Sequence, residues 1–290
     1  MNIRPPFRAN QFYPGQPHEC RAQAEQLLEA VTLDETLPEK LVGGICPHAG
    51  WMYSGALASA TLKALATQAT APVIVLLGAD HTGLAAGGAV YSRGAWATPL
   101  GELDIDEDLA DRVLAIDGRF ADCPAAHAQE HSLEVLVPFI QVLWPGCKLL
   151  PIMIEPAPDA AQLGETLGKV AAERGDEILF VGSTDLTHHG GHFPAPGGRG
   201  LAGVSYTEDN DQRMIELMKS LSAEEVIAEA THSSNACGAG AIAATVAACR
   251  ASGATSGMCL GYDNSYQIVR RIAPYETDET TVGYASVVFG

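Results

Sequence analysis

Two hydrophobic patterns alternate along this chain. LVGGIC (41–46), VIVLLG (73–78), KLLPIMI (148–154) and EILFVGS (177–183) are apolar almost throughout, as strands covered on both faces are. Between them, apolar residues recur at helical spacing, predicting helices over 18–31, 53–66, 106–116 and 159–175. The helix at 106–116 opens with acidic residues, which suit its N-terminus, and Gly175 is the expected terminator of 159–175. Residues 131–144 also have helical spacing, but Pro138 inside them predicts a kink or a break. Residues 89–105 read as a hairpin or two extended pieces, and the His-, Gly- and Pro-rich stretch 187–207 as a long loop. Further helices are predicted at about 208–230 and 238–252, with a break near Leu221. Strands near 256–269 and 282–289 close the chain.

Apolar strands alternating with helices define an α/β fold: a mostly parallel central sheet flanked by helices, with the last strands antiparallel. Neither an internal repeat nor a linker divides residues 1–290, so a single domain is expected. The Gly/Pro-rich segment 190–203 reads as a functional loop rather than a boundary.

Composition narrows the partners. A formal net charge of −18 repels nucleic acid and anionic membrane, so neither is expected as a partner. No 18-residue apolar run is present, and the opening MNIRPPFRANQFYP lacks the apolar core of a secretory signal; a cytoplasmic location is expected. The seven cysteines are scattered, without a CxxC pair, and read as free thiols, mostly small core residues.

Candidate chemistry sits where the buried strands end. LVGGIC is followed by Pro47-His48, VIVLLG by Ala79-Asp80-His81, and EILFVGS by Thr184-Asp185-Leu186-Thr187-His188-His189. In open α/β sheets ligands bind outside the carboxyl ends of strands. A single histidine at a strand end is most often a hydrogen-bonded structural residue. Three such strands, when histidine is 9 of 290 residues, make a cluster. Neutral imidazole is the commonest metal-binding side chain. Two histidines need a third, preferably anionic, ligand, for which Asp80, Asp185, Glu130, Glu134 and Cys237 are candidates. Cys237 lies just before a small-residue helix, where a thiol pKa is expected to be lowered. Glu130-His131-Ser132-Leu133-Glu134 forms a second cluster, with Glu130 and Glu134 one turn apart on one helix face and His131 either a general acid or base or a satisfied structural residue. His18, His127, His192 and His232 read as surface or loop residues.

These segments resemble a known family. Pro47-His48-Ala49-Gly50-Trp51-Met52-Tyr53-Ser54-Gly55 resembles the PHAGYxYxG motif of the Memo family, and Gly78-Ala79-Asp80-His81 its GPxH element. Glu130–Glu134 resembles EHSxE, Ser183–His188 resembles S-S-D-x-x-H, Asn235-Ala236-Cys237-Gly238 resembles xxCG, and the opening Arg8–Pro14 resembles the AGxFYP start. The motifs follow the family's order from end to end. The resemblance implies a fold related to the LigB-type class III extradiol dioxygenases. It implies metal ligands at His48, His81 and Cys237, with Asp185, His188 and His131 lining the pocket. It also implies a functional link to a radical-SAM protein, since bacterial members are often called AmmeMemoRadiSam system protein B. Two departures stand out. The dioxygenases complete their site with a carboxylate, whereas Cys237 would supply a thiolate, which is softer and admits Cu(I), Zn or a differently tuned iron. Position 79 is Ala where the family commonly has Pro.

Three functions compete. The first is a mononuclear non-haem iron (or copper) redox enzyme acting on a small molecule, with His131 or His188 moving protons and Glu134 or Asp185 orienting them. Fe(II) is the expected metal, with Cu or Zn as alternatives. The second is a zinc-dependent hydrolase. The third is a non-catalytic metal-handling or peptide-binding protein, against which an acidic surface argues where phosphopeptides are concerned.

Overall fold

The computed structural model describes residues 2–33, 36–70, 73–174, 177–273 and 280–290. In chain order the elements begin β1 (Ile3–Arg4), α1 (Pro17–Ala30), β2 (Gly43–Cys46), α2 (Trp51–Ala66), β3 (Val73–Ala79) and β4 (Gly88–Val90). They continue β5 (Ala95–Thr98), β6 (Gly101–Asp104), α3 (Glu107–Ile116), β7 (Phe120–Asp122), α4 (Pro124–His127), α5 (Val137–Leu143) and β8 (Lys148–Ile154). The second half holds α6 (Ala160–Arg174), β9 (Ile178–Ser183), β10 (His188–Gly190), α7 (Leu201–Lys219), α8 (Val226–Ser233) and α9 (Ala239–Ala251). It closes with β11 (Gly257–Asn264), α10 (Ser265–Ile272) and β12 (Thr280–Phe289).

Among the described residues the main sheet has nine strands in the order β10-β12-β2-β9-β3-β8-β4-β7, with β11 also pairing β12. The four central strands, β2, β9, β3 and β8, are parallel. Antiparallel pairs extend the sheet on both sides, β12 against β2 and β4 against β8. The parallel order read from the sequence therefore holds for the centre, and the last strand is antiparallel as expected.

Strand β3 shows why its sequence is apolar throughout. Val73, Val75 and Leu77 enter one core with Leu163 and Leu167 of α6 and Ala244 and Ala248 of α9. Ile74 and Leu76 enter a second core with Leu62 and Leu65 of α2, Leu28 of α1 and Phe139 of α5. Successive side chains point to opposite faces, so a sheet with helices on both sides leaves no polar position. Helices α6 and α9 pack backbone to backbone: a Cβ on Gly164 would come within 2.0 Å of the Ala244 carbonyl oxygen. No helix among the described residues is long and apolar enough to cross a membrane.

Four expectations need correction. The strand predicted over 256–269 ends at Asn264, whose side chain accepts from Gln267 N at 2.9 Å and caps α10. The stretch 89–105 splits between two sheets. Strand β4 joins the main sheet, while β5 and β6 form a hairpin that pairs with β1. The long loop at 187–207 is shorter than expected, because β10 pairs with β12 and α7 begins at Leu201, burying Gly203, Val204 and Thr207. His127 is not a surface residue. It is buried at the end of α4, donates Nε2–H to Ala89 O at 2.9 Å, and packs its ring against Tyr91 and Trp96. The breaks at Pro138 and Leu221 are present: Pro138 sits in the first turn of α5 after a short 3-10 turn, and Leu221 takes a positive φ between α7 and α8. Gly175, the expected terminator of α6, lies outside the described residues.

The N-terminal segment is fastened to the body by one buried cation. The Arg4 guanidinium donates to His127 O (2.7 Å) and Glu130 O (2.6 Å), pairs with Glu134 (2.9 Å), and lies over the Trp96 ring. Glu134 also accepts from Phe7 N, Arg8 N and Tyr13 Oη. Residues 4–13 are thereby strapped across the segment that carries Glu130 and His131.

Two measurements test this packing. Gly164→Ala should lower the unfolding free energy by about 1–3 kcal/mol, because the new methyl meets backbone. Gly118→Ala, with open space around the added methyl, should change it by under about 0.5 kcal/mol. Equal denaturation midpoints for the two would contradict the close α6–α9 contact. Burial lowers the His127 pKa from 6.5 to about 4, with Arg4 adding to the effect. Between those values the unfolded chain binds a proton that the folded chain refuses. Stability from this group is thus complete above pH 6.5 and lost as pH falls towards 4. The loss should amount to about 3 kcal/mol, and His127→Gln should flatten that slope in pH-dependent urea unfolding.

Candidate metal centre

Three strand ends meet because β9 lies between β2 and β3. Cys46 at the end of β2 is level with Ser183 at the end of β9, and Leu77 of β3 is level with Gly182. The segments that follow, carrying His48, Asp185 and His81, therefore leave the sheet side by side. Cys237 arrives from the opposite direction, just before α9. Its backbone N–H donates to Asp185 O at 3.1 Å, and Gly238 N donates to Thr184 Oγ1 at 3.0 Å. A Cβ on Gly238 would stand 2.5 Å from Ser183 O, so only glycine lets this turn approach β9 so closely.

One ligand atom each from His48, His81 and Cys237 lie within 4.8 Å of one another. Cys237 Sγ is 3.2 Å from His48 Nε2. An ion bound tetrahedrally to sulfur and nitrogen spaces those donors by about 3.5 Å, so the set fits a metal with little expansion. Hydrogen bonds turn the right nitrogens inward. Ser183 Oγ gives its proton to Ser132 O (2.6 Å), so it accepts from His48 Nδ1–H (2.9 Å), leaving Nε2 of His48 with a bare lone pair. His81 Nδ1 donates to Glu130 Oε1 at 2.9 Å, which leaves its Nε2 for an ion. The Glu130 carboxylate is itself fixed by the backbone N–H groups of His81, His131 and Ser132.

Burial sets the charges. His48 is fully enclosed, and its pKa falls well below the usual histidine value. Burial also works against protonating His81, but Cys237 and Glu130 outweigh it and raise its pKa. Glu130 is drawn down to about 2: burial opposes ionisation, but His81 and the backbone donors win. Burial pushes the Cys237 thiol up, Asp185 adding to the effect. The lowered thiol pKa expected from the start of α9 is therefore not found, because desolvation exceeds the helix effect. A bound cation would supply the missing positive charge and draw off the proton.

The other predicted residues divide. Burial lowers the His131 pKa to about 4; its ring stacks on His81 at 4.8 Å between centroids and stands 5.4 Å from the His48 ring. His188, also lowered by burial, donates Nδ1–H to Leu186 O at 3.1 Å and sits near enough to feel the charge of His81. Asp185 is buried with its pKa pushed up to about 7, and its Oδ1 accepts from His48 N at 2.7 Å, so it anchors the His48 loop. Asp80 turns back on its own loop, accepting from Thr82, Leu84 and Ala85. Glu134 bonds Arg4, Phe7, Arg8 and Tyr13 and no histidine. Glu130 and Glu134 do not share a helix face: Glu130 precedes the 3-10 turn at 134–136 and faces His81. Sequence reasoning missed Ser132 and Ser183 as the pair that sets the His48 tautomer, and it treated Glu130 as a ligand candidate rather than the partner of His81. The serine adjoining each motif carried no signal beyond its hydrogen-bonding capacity.

Two imidazoles and a thiol at the carboxyl edge of a sheet covered on both faces define a candidate mononuclear transition-metal centre in an α/β protein. The family model of Memo-like proteins matches residues 4–288. A MEMO1 family protein of Methanopyrus kandleri is 33% identical over 296 residues, covering 99% of this chain and 98% of its own. One from Thermococcus kodakarensis is 32% identical over 299 residues, covering 99% of both chains. A third, from Methanothermobacter thermautotrophicus, is 32% identical over 273 residues, covering 91% of this chain and 94% of its own. The chain belongs to the Memo family.

The two glutamates can be separated by experiment. Glu130→Gln should weaken metal binding by about 10–100-fold, through the lost partner of His81. Glu134→Gln should leave metal affinity near wild type but cost about 3 kcal/mol of stability, since it leaves Arg4 buried without its counter-charge. Metal titration and chemical denaturation of both variants check the pattern, and its reversal would overturn these assignments.

Proposed function

We propose that the protein is a mononuclear redox enzyme that binds one transition-metal ion, iron(II) in the first place, through His48 Nε2, His81 Nε2 and Cys237 Sγ, and acts on a small molecule. The observation that carries this reading is the fixed inward direction of the donor atoms. When bound, a redox metal with three protein ligands supplies open positions for substrate or oxygen and a route for electrons.

The chain's own residues supply the rest. Ser183 and Glu130 hold the two imidazole rings with Nε2 turned inward, so neither ring must rotate before binding. His131 and His188 have lowered pKa values and are neutral at pH 7, so either can accept a proton from a bound substrate. His188 keeps its Nδ1 proton on Leu186 O, which leaves Nε2 as its basic atom. Asp185, held by the His48 backbone, keeps that loop seated under the pocket.

Anaerobic loading with Fe(II), Cu(I) and Zn(II), followed by metal analysis, tests the reading. One equivalent should bind, and Cys237→Ala should weaken binding at least 100-fold. Burial raises the Cys237 thiol pKa, and, against the effect of its own burial, Cys237 and Glu130 raise that of His81 to about 10, so binding must release a proton from each. Affinity should then rise about a hundredfold per pH unit between pH 6 and 8, with the release of two protons seen by calorimetry in buffers of different ionisation enthalpy. Oxygen uptake by the iron form in the presence of oxidisable small molecules supports redox catalysis. Retention of zinc alone, with hydrolysis and no oxygen uptake, would favour the hydrolase.

A further inference from the structure

We infer that Arg8 is the substrate anchor at the mouth of this pocket, and that it selects small carboxylates with an apolar body. The inference rests on the metal-site reading for the pocket's identity and deepens it by naming what enters.

Arg8 is an unpaired cation in an acidic chain, with 17 Lys and Arg against 35 Asp and Glu. Its side chain meets no carboxylate within ion-pair distance among the described residues. Nη1 donates to Gln11 Oε1 at 2.9 Å, and Nε is buried without an acceptor. Holding an N–H away from water without a partner costs free energy, so local hydrogen bonding does not explain this placement. Rings do: the guanidinium lies 4.5 Å from the centre of the Phe7 ring and 5.2 Å from that of Phe12. The backbone beneath is pinned, because Arg8 N donates to Glu134 at 2.7 Å.

Phe12 links this cation to the pocket. Its ring stands edge-on to His131 at 5.1 Å. His131 in turn stacks on the ligand His81. A flat, always-charged group held by aromatic faces is preorganised to take a carboxylate through parallel N–H donors, losing little side-chain entropy on binding. The overall negative charge of the protein repels acids elsewhere, so attraction at this one point gives selectivity rather than general acid binding. The apolar body follows from exposed side chains at this edge of the sheet. Met52, Leu84 and Phe193 are exposed on segments that follow β2, β3 and β10, on the same edge of the sheet as His48 and His81. Phe193 packs its ring against His188 at 4.9 Å.

Ligand-observed NMR titrations of the full chain, metal-free and Zn(II)-loaded, with hexanoate and its neutral counterpart hexanamide as probes, test the inference. Hexanoate should bind at least tenfold more tightly than hexanamide in both forms. Arg8→Gln should abolish that preference, and Arg8→Lys, which keeps the charge but not the fork, should restore only part of it. Equal binding of the two probes by the wild type would overturn the proposal. So would a preference that survives Arg8→Gln, including one seen only with zinc present, which would assign the carboxylate to the metal. Metal affinity is measured alongside in the wild type and in Arg8→Gln. A wild type that binds no metal defeats the metal-site reading, whereas normal metal binding without a charge preference defeats only the role given to Arg8.

Discussion

The pairing of β9 with both β2 and β3 is the constraint on which the rest of the molecule depends. Without it, His48, Asp185 and His81 would belong to unrelated loops. With it, their backbones emerge in adjacent positions at one sheet edge, and the hydrogen-bonded register sets their relative heights. Such a pairing needs strands that can be buried on both faces, which is why so many positions here are Val, Ile, Leu or Gly. The small residues of α9 serve the same end. They allow the helix to settle over the sheet and bring Cys237 onto the backbone of Asp185.

On that frame the pocket is finished by a chain of hydrogen bonds. Ser132 O receives from Ser183, Ser183 receives from His48, and Glu130 receives from His81 and three backbone N–H groups. Each bond fixes the next, so the direction of each ligand's lone pair is decided one residue away from the ligand itself. In a low-dielectric interior such chains are strong when complete and costly when broken. Their value here is geometric: they bring three soft or borderline donors together before any ion arrives.

Much of this was legible from the order of residues. The apolar runs marked the central strands, and the histidines after three of them marked the edge where chemistry gathers. Cys237 was one of five candidates for a third donor on residue type alone, and motif order singled it out. Other features depend on tertiary geometry that no local pattern carries. His127 looks like any loop histidine until β4 and the Tyr91–Trp96 rings close around it. The i, i+4 spacing of Glu130 and Glu134 suggested one helix face, but the chain is not yet helical at Glu130, and the two carboxylates face different partners. The thiol pKa followed enclosure rather than the nearby helix start. Residues 256–269 had the composition of a strand, yet the cap formed by Asn264 begins a helix at Ser265.

The strap formed by residues 4–13 also bears on how the molecule is made. Its anchor, Glu134, lies more than a hundred residues further along the chain. A ribosome delivers the strap well before its anchor, and Cys237 later still. The strap must therefore wait, unsecured, while the sheet assembles, because distant contacts form only after the intervening chain has been ordered. The strap and its anchor are thus both made before Cys237, and the set of metal ligands is completed only when the chain beyond them has been delivered.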